Sequence, residues 1–147
     1  MWSSDRRAGF TLIEAVAVML IIALMASLAI TMMPGTGRAR LKAVTLEAAA
    51  LLRHERLGAI LTGRERDVAI DGESRILIGD GGSTVAIPSD VIVDLLGTSI
   101  PSISRATVVR FHPDGASSGA VVRLSREKAG YEIRVNWYTG GVSVEAR

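Results

Sequence analysis

An almost unbroken run of apolar residues extends from Phe10 to Met33, and it contains a single carboxylate, that of Glu14. At a rise of about 1.5 Å per residue, a helix over this run is long enough to cross the roughly 30 Å hydrocarbon layer of a membrane. The apolar core of a cleaved secretory signal is shorter, at about 7 to 15 residues. The run therefore predicts a transmembrane helix over residues 10–33.

The carboxylate of Glu14 is costly in such a helix, because an unpaired charge in hydrocarbon is unfavourable by about 3 kcal/mol on insertion scales. From Ala15 to Ile30 the only polar side chain is that of Ser27, so the segment offers no partner. The compensating positive charge must come from another chain or from a newly made N-terminus. An ordinary signal anchor, with Glu14 merely close to the membrane interface, is the alternative interpretation.

The residues around Glu14 resemble the type IV prepilin signature, in which a short basic leader ends in glycine, here Gly9, before Phe-Thr-Leu-Ile-Glu at residues 10–14. The resemblance implies that a prepilin peptidase cleaves between Gly9 and Phe10 and then N-methylates Phe10. It makes Glu14 the fifth residue of the mature chain. The new α-ammonium of Phe10 is then the implied partner of Glu14 in a neighbouring subunit, where a low dielectric strengthens the pair.

Basic residues lie on both sides of the apolar run, with Arg6 and Arg7 before it and Arg38, Arg40 and Lys42 after it. A count of positive charges therefore does not choose an orientation. The resemblance implies that the leader, residues 1–9, stays in the cytoplasm. The rest of the chain would cross the inner membrane once and place its C-terminal part in the periplasm.

The charge composition excludes an obvious nucleic-acid surface. Of the 17 Lys and Arg residues only Arg6 and Arg7 precede residue 38, and of the 15 Asp and Glu residues only Asp5 and Glu14 do, so the remainder is nearly neutral with both signs interspersed. Such a balance lacks the basic patch that nucleic acid requires. The chain has no cysteine, so this single domain must fold on packing without disulfides.

Residues 34–63 predict a kink followed by an amphipathic helix. Pro34-Gly35-Thr36-Gly37 should interrupt the first helix, and a helical pattern resumes over residues 38–61. One stripe of this helix should pack on the domain, and it consists of Leu41, Val44, Ala48, Leu52 and Ala59. A second apolar group lies on the opposite face and consists of Leu46, Ala50, Leu57 and Leu61. Scattered surface leucines are common, but the grouping favours a face that meets neighbouring helices in an assembly.

From residue 64 to the C-terminus the hydrophobic period changes to two, which predicts a β-rich domain of short antiparallel strands. The candidate strands lie at residues 68–70, 76–78, 85–87, 91–96, 107–111, 119–124, 131–137 and 142–144. Residues 97–104 lack periodicity and predict a loop. Trp137 and Tyr138 are expected in the core, since aromatic residues on strands are usually buried. The predicted fold class is α+β, with a long N-terminal helix, transmembrane in its first half, packed on antiparallel sheets.

A second resemblance lies in the last third of the chain. The run Phe-His-Pro-Asp-Gly-Ala-Ser-Ser-Gly at residues 111–119 is followed by Tyr-Glu-Ile-Arg-Val at 131–135 and Thr-Gly-Gly-Val at 139–142. These segments resemble the H-type minor pseudopilins of type II secretion and the related FimT-type minor pilins. The chain departs from their pattern at Ala116, Ala120 and Gly141, and these departures weaken a role for basic residues there.

The chemistry of Pro113-Asp114-Gly115 independently predicts a hairpin connection after a strand, because proline presets φ and glycine supplies a positive φ. Its neighbours His112, Asp114 and Ser117 or Ser118 are crowded into one tight loop, which disfavours a catalytic triad. His54 and His112 show no metal-ligand spacing, and the acidic turns at Asp71 and Asp80 lack the oxygen spacing of a calcium loop. We therefore expect a structural protein with no cofactor and no metal.

The two resemblances imply a minor pseudopilin, a subunit of the type II secretion pseudopilus. The implied partners are the prepilin peptidase, other major and minor pseudopilins, the inner-membrane secretion platform and membrane lipid. The predicted assembly residues are Glu14, Leu46, Leu57 and Leu61. A FimT-like minor pilin of a type IV pilus with a role in DNA uptake is the alternative, although the segment from Asn136 holds only Arg147 against Glu145. A membrane-anchored enzyme is the remaining rival.

Overall fold

A computed structural model describes residues 11–31, 36–95, 98–99 and 105–147. The chain divides into two compact units, residues 1–36 and residues 37–147. Among the residues that the structure describes, all members of the hydrophobic core belong to the second unit.

The first unit contains helix α1, Leu12–Thr31. Every residue of this helix from Leu12 to Leu28 is exposed. The N–H groups of Glu14 and Ala15 donate to the Thr11 carbonyl at 3.0 and 3.2 Å and so begin the helix. The predicted cleavage site, Gly9 and Phe10, lies outside the described residues, as do Pro34 and Gly35 of the predicted kink.

Helix α2, Thr36–Thr62, forms one layer of the second unit. It begins two residues earlier than the sequence pattern predicts, because Thr36 and Gly37 are already helical. Its predicted core stripe is confirmed, since all five members are buried: Leu41, Val44, Ala48, Leu52 and Ala59. The helix is therefore held on the domain by the 3.6-residue period of its apolar side chains.

Nine strands form the other layer of the described domain, and they belong to two antiparallel sheets. The four-stranded sheet contains β1 (Arg66–Asp71), β2 (Ile76–Gly79), β3 (Thr84–Ala86) and β6 (Ala106–Phe111), in the order β3-β2-β1-β6. The five-stranded sheet contains β4 (Ile92–Leu95), β5 (Thr98–Ser99), β7 (Ala120–Arg126), β8 (Ala129–Val135) and β9 (Val142–Ala146), in the order β5-β4-β7-β8-β9. The predicted α+β class and the change of period at the end of the helix are confirmed.

The core lies between α2 and the inner faces of both sheets. Phe111 is its largest side chain and is fully buried at the end of β6. In β8, Ile133 and Val135 face inward at alternate positions, as the two-residue period of a half-buried strand requires. Both sheets thus contribute to one continuous core, and the exposed side of α2 with Leu46, Leu57 and Leu61 lies outside it.

Two details of the strand prediction are wrong. Residues 97–104 were expected to be a loop, but Thr98 and Ser99 form β5 and pair with Leu95 and Asp94 of β4. The turn at residues 113–115 was expected to join two strands of a hairpin, but β6 and β7 belong to different sheets. A single antiparallel bridge between Phe111 and Ser117 closes that turn locally, and the chain then crosses to the second sheet.

Candidate functional site

Glu14 lies in the first turn of α1 with its side chain exposed. A carboxylate at this place is favourable for the helix itself, because the N-terminal end of a helix carries partial positive charge. The predicted partner, the amine of Phe10 in another subunit, lies outside the described residues. The assembly role of Glu14 therefore stays a prediction.

The outward face of α2, defined here as Leu46, Ala50, Leu57 and Leu61, is exposed along its whole length. The exposed fractions are 47% for Leu46, 53% for Leu57 and 75% for Leu61. Polar residues flank this face, with Lys42 and Arg53 on one side and Glu47 and His54 on the other. An apolar strip bordered by charged residues is typical of a contact surface.

The buried face of the same helix contains a carboxylate that the sequence analysis missed. Glu55 is completely buried, and its oxygens accept the backbone N–H of Gly81 at 3.1 Å. Its second partner is Arg66 at the start of β1, whose Nη1 donates to Oε2 at 3.2 Å. A charge taken out of water is tolerated when it is paired and hydrogen-bonded in this way.

Glu55 links α2 to strand β1 through Arg66 and to the turn between β2 and β3 through Gly81. Glycine at positions 79 and 81 gives the carboxylate room, since a Cβ on either residue would overlap it. The position was readable from the sequence, because Glu55 follows Leu52 by three residues and precedes Ala59 by four, and so lies on the buried stripe. A charged residue on a core stripe is a signal for a buried ion pair.

The polar residues near the turn at 113–115 have separate structural roles. Nδ1 of His112 lies 2.9 Å from Oε1 of Glu65, and the Asp114 carboxylate accepts the N–H of Ala116 at 3.0 Å. The Ser117 hydroxyl donates to the carbonyl of Asn136, while the Ser118 hydroxyl accepts the N–H of Arg110, each at 3.0 Å. These side chains do not point to one another, so the arrangement does not form a nucleophile, base and orienting group.

The expectation that Trp137 and Tyr138 belong to the core is wrong, since they are 68% and 73% exposed. Strand β8 ends at Val135, and both aromatic residues lie in the turn before β9. Asn136 ends the strand, because its side-chain oxygen accepts the N–H groups of Tyr138 and Thr139 at 2.9 and 3.0 Å. The two rings contact each other edge to face, with centroids 5.6 Å apart.

Two ion-pair networks lie on the sheets. On the five-stranded sheet, Glu132 is bound by Arg134 at 2.7 Å and by Arg123 at 3.1 Å, and these hydrogen bonds lower the pKa of Glu132. On the four-stranded sheet, Arg110 binds both oxygens of Asp67 at 2.7 and 2.8 Å and lowers the pKa of Asp67. Each network links neighbouring strands of its sheet.

In the part of the chain that the structure describes, no group of three or more His, Asp or Glu side chains is placed to hold a metal ion. No helix among residues 11–31 and 36–62 meets the requirements of length and hydropathy for a membrane span.

Comparison with known proteins decides the family. Residues 4–30 match the family model of the prokaryotic N-terminal methylation motif. Over 136 residues the chain is 32% identical to the type II secretion system protein H of Xanthomonas campestris pv. campestris, and the match covers 91% of this chain and 80% of that protein. The chain belongs to the type II secretion protein H family. The pilin-like resemblance of its N-terminal segment is thereby confirmed.

The fold of this protein H family member is also that of a solved pilin. The crystal structure of the type IV minor pilin FimU of Pseudomonas aeruginosa superposes with a TM-score of 0.54 over 76% of this chain and 92% of that chain. The sequence identity is 16%, so the likeness concerns the fold. One helix packed on antiparallel sheets is thus shared between a protein H family member and a minor pilin.

Proposed function

We propose that this protein H family member is a minor pseudopilin, a structural subunit of the type II secretion pseudopilus that helps to export folded proteins across the outer membrane. The observation that carries the proposal is the two-sided helix α2. One side of it is buried in the domain, while its outward face presents Leu46, Leu57 and Leu61 to solvent. The similarity to a type II secretion protein H supports the choice of this assembly.

In this proposal the newly made chain resides first in the inner membrane. Residues 10–33 form a single transmembrane segment, the leader at residues 1–9 stays in the cytoplasm, and the domain at residues 64–147 lies in the periplasm. The proposed segment includes Phe10, Met32 and Met33, which lie outside the described residues. The prepilin peptidase removes the leader after Gly9 and methylates Phe10. The match of residues 4–30 to the N-terminal methylation motif supports this processing.

Assembly then requires two contacts. The carboxylate of Glu14 pairs with the N-terminal amine of a neighbouring subunit, since it otherwise has no compensating charge in hydrocarbon. The outward face of α2 packs against helices of other major and minor pseudopilins above the membrane. A structural role of this kind requires no catalytic group. The polar side chains at residues 112–118 form hydrogen bonds and contacts within turns and between strands.

Processing is tested by intact-mass measurement of the chain purified from cells. We expect the mass of a chain that begins at Phe10 and carries one methyl group. The matched control is Gly9→Leu, which should keep the leader, because a bulky side chain hinders entry of the backbone into a protease cleft. An unprocessed, unmethylated chain in the assembled complex would refute the proposal.

The choice between a pseudopilus and a type IV pilus is tested by cross-linking in cells from a photoreactive residue at Leu57. We expect capture of type II pseudopilins. Capture of pilins instead, together with DNA binding by the purified domain at physiological salt, would favour the minor-pilin alternative. The near balance of charges after residue 38 predicts that the domain does not retain DNA.

A further inference from the structure

Strand β9 lies at an edge of the five-stranded sheet, and among the described residues only β8 pairs with it. The other sheet edges are short or partly covered. Strands β3 and β5 have three and two residues, and the returning chain covers the end of β6, where the N–H of Ser118 donates to the Arg110 carbonyl at 2.9 Å. In the part of the chain that the structure describes, the five residues of β9 therefore form the longest uncovered edge.

The backbone of β9 directs its hydrogen-bonding groups alternately toward β8 and away from it, as in any antiparallel strand. Just beyond its two ends, the Gly141 carbonyl accepts the N–H of Asn136 at 2.9 Å, and the N–H of Arg147 donates to the Gly130 carbonyl at 2.8 Å. The odd-numbered residues therefore face β8 with their backbone groups. The residues whose backbone groups face outward are Val142, Val144 and Ala146.

One of the outward groups is already bonded, since the Val142 carbonyl accepts Nη2 of Arg53 at 3.1 Å. Within the described chain, the N–H and C=O groups of Val144 and Ala146 have no hydrogen-bond partner. Unpaired edge groups pair readily with another chain, and proteins usually protect such an edge with lysine, proline or a bulge. Strand β9 contains neither lysine nor proline, and its register with β8 is regular. This edge is open to a further strand.

A groove of about 250 Å³ lies between this edge and α2. It is lined by Lys42, Thr45 and Leu46 of α2 and by Tyr131, Val144 and Ala146 of the sheet. Leu46 is 47% exposed, and the Thr45 hydroxyl donates to the Leu41 carbonyl at 2.8 Å, so the middle of the groove is apolar. Side chains alternate along a strand, so the charged Glu145 faces away from the groove. An apolar wall thus adjoins the open backbone edge.

The chemistry of the edge and of the groove defines the ligand. An extended polypeptide presents donors and acceptors at the spacing of this edge, about 6.8 Å between successive outward residues. Lys42 lies about three turns before Arg53 in α2, toward the Ala146 end of the groove. Among the described residues Lys42 has no ion-pair partner. A carboxylate at that end of the bound segment would complement it.

We propose that an extended segment of a partner protein binds antiparallel to β9 and adds a sixth strand to the five-stranded sheet. The segment carries apolar residues at alternate positions over the groove and an acidic residue opposite Ala146, beside Lys42. Strand addition of this kind draws affinity from main-chain hydrogen bonds and specificity from the alternate side chains. The inference goes beyond the proposed helix contacts, because it assigns a second surface that meets the outward face of α2 at Leu46.

The test measures binding of the peptide acetyl-Thr-Glu-Thr-Val-Thr-Val-Thr-amide to the full chain in uncharged detergent by isothermal titration calorimetry. Its glutamate and two valines are placed to face Lys42 and the apolar wall. The matched control peptide has the same side chains but carries N-methyl groups on the glutamate and both valines, whose N–H groups would bond to β9. We expect the control to bind at least about tenfold more weakly.

Variants of the chain test the same contacts from the other side. Val144→Pro removes one outward N–H and keeps the bonds to β8, because an edge strand tolerates proline where the N–H faces solvent. It should weaken peptide binding about tenfold, whereas Val144→Thr keeps the N–H and should change the affinity less than about threefold. Unchanged thermal unfolding shows that each variant keeps the fold.

The charge at the end of the groove is tested separately. Lys42→Gln should weaken binding about threefold at low salt and less at high salt. Arg64→Gln is the matched control, since Arg64 is exposed beyond the C-terminal end of α2 and outside the groove. It should leave the affinity unchanged. Equal effects of the two substitutions would contradict the assigned position of the acidic residue.

Three other results would overturn the inference. Absence of binding by the unmodified peptide at about 1 mM would mean that the edge takes no strand. Equal affinities of the two peptides would mean apolar contact without strand addition. A dimer of the chain that Val144→Pro disrupts would assign the edge to a second copy. Leu57→Glu lies outside the groove and should leave peptide binding unchanged, so this inference and the proposed helix contacts fail in different experiments.

Discussion

The two faces of α2 carry similar residues but have different surroundings. The buried face includes Leu41 and Leu52, which are almost inaccessible, while the outward face includes Leu57 and Leu61, which are more than half exposed. Both groups repeat at helical spacing, so hydrophobic periodicity alone detects them equally. The difference lies in the sheets, which cover one face and leave the other open. A leucine stripe therefore predicts that one face of the helix is buried against another surface. Only the fold shows whether that surface belongs to the same chain.

The largest effect should follow from removing the buried carboxylate of the covered face. Glu55→Ala leaves the largely buried guanidinium of Arg66 without its partner and the N–H of Gly81 without an acceptor. We expect the free energy of unfolding of the unit at residues 37–147 to fall by about 3 to 5 kcal/mol, measured by urea denaturation. Glu65→Ala removes an exposed carboxylate and should cost less than about 1 kcal/mol. Similar losses in the two variants would contradict the structural role of Glu55.

Replacing one leucine by alanine on each face of α2 tests the comparison between the buried and the outward face. Leu52→Ala should destabilise the unit by about 2 to 5 kcal/mol, because it leaves a cavity in the core. Leu57→Ala should change the free energy of unfolding by less than about 0.5 kcal/mol, since the side chain is already half in water. Urea denaturation of both variants measures the difference. If Leu57→Ala costs as much as Leu52→Ala, the outward face is part of the core.

Acid should have a smaller effect, through carboxylates that lie away from α2. The pKa of Glu132 is lowered from its ordinary 4.5 by hydrogen bonds from Arg134 and Arg123. A carboxyl group with a lowered pKa in the folded state stabilises the fold above its unfolded pKa, and that contribution is lost as the pH falls through the folded value. Thermal unfolding should therefore become easier as the pH falls below about 4.5.

The control for this pH effect is Glu132→Gln, which should unfold more easily at neutral pH and show a flatter decline in acid. Asp67→Asn should act in the same direction, because Arg110 lowers the pKa of Asp67. A decline in acid that neither substitution alters would show that other groups control the acid sensitivity of the fold.

The sequence predicted those elements whose apolar residues repeat with a single period and all pack on the same core. The core stripe of α2 and the alternating strands follow this rule, because each contacts the core along its whole length. Strand β5 was missed, since two residues are too short to show a period and their pairing with β4 is a tertiary feature. Trp137 and Tyr138 were misplaced because β-propensity was extended past Asn136, whose side chain ends the strand.

The candidate site was predictable in part for the same reason. The outward face of α2 is visible in the sequence as a second stripe, and the structure leaves it exposed. Glu55 was missed because the stripe was judged by its apolar members, although its spacing from Leu52 and Ala59 placed it on the buried side.

The most direct test of the account replaces one residue at the outward face and one at its polar border with the same acid. Leu57→Glu and His54→Glu both introduce a carboxylate at an exposed position of α2, so both domains should remain folded. Recovery of each variant in the assembled pseudopilus, measured by co-purification from cells with its fold confirmed by circular dichroism, separates them. We predict that Leu57→Glu is absent from the assembly while His54→Glu is retained. Normal assembly of a folded Leu57→Glu protein would contradict the role of the outward face.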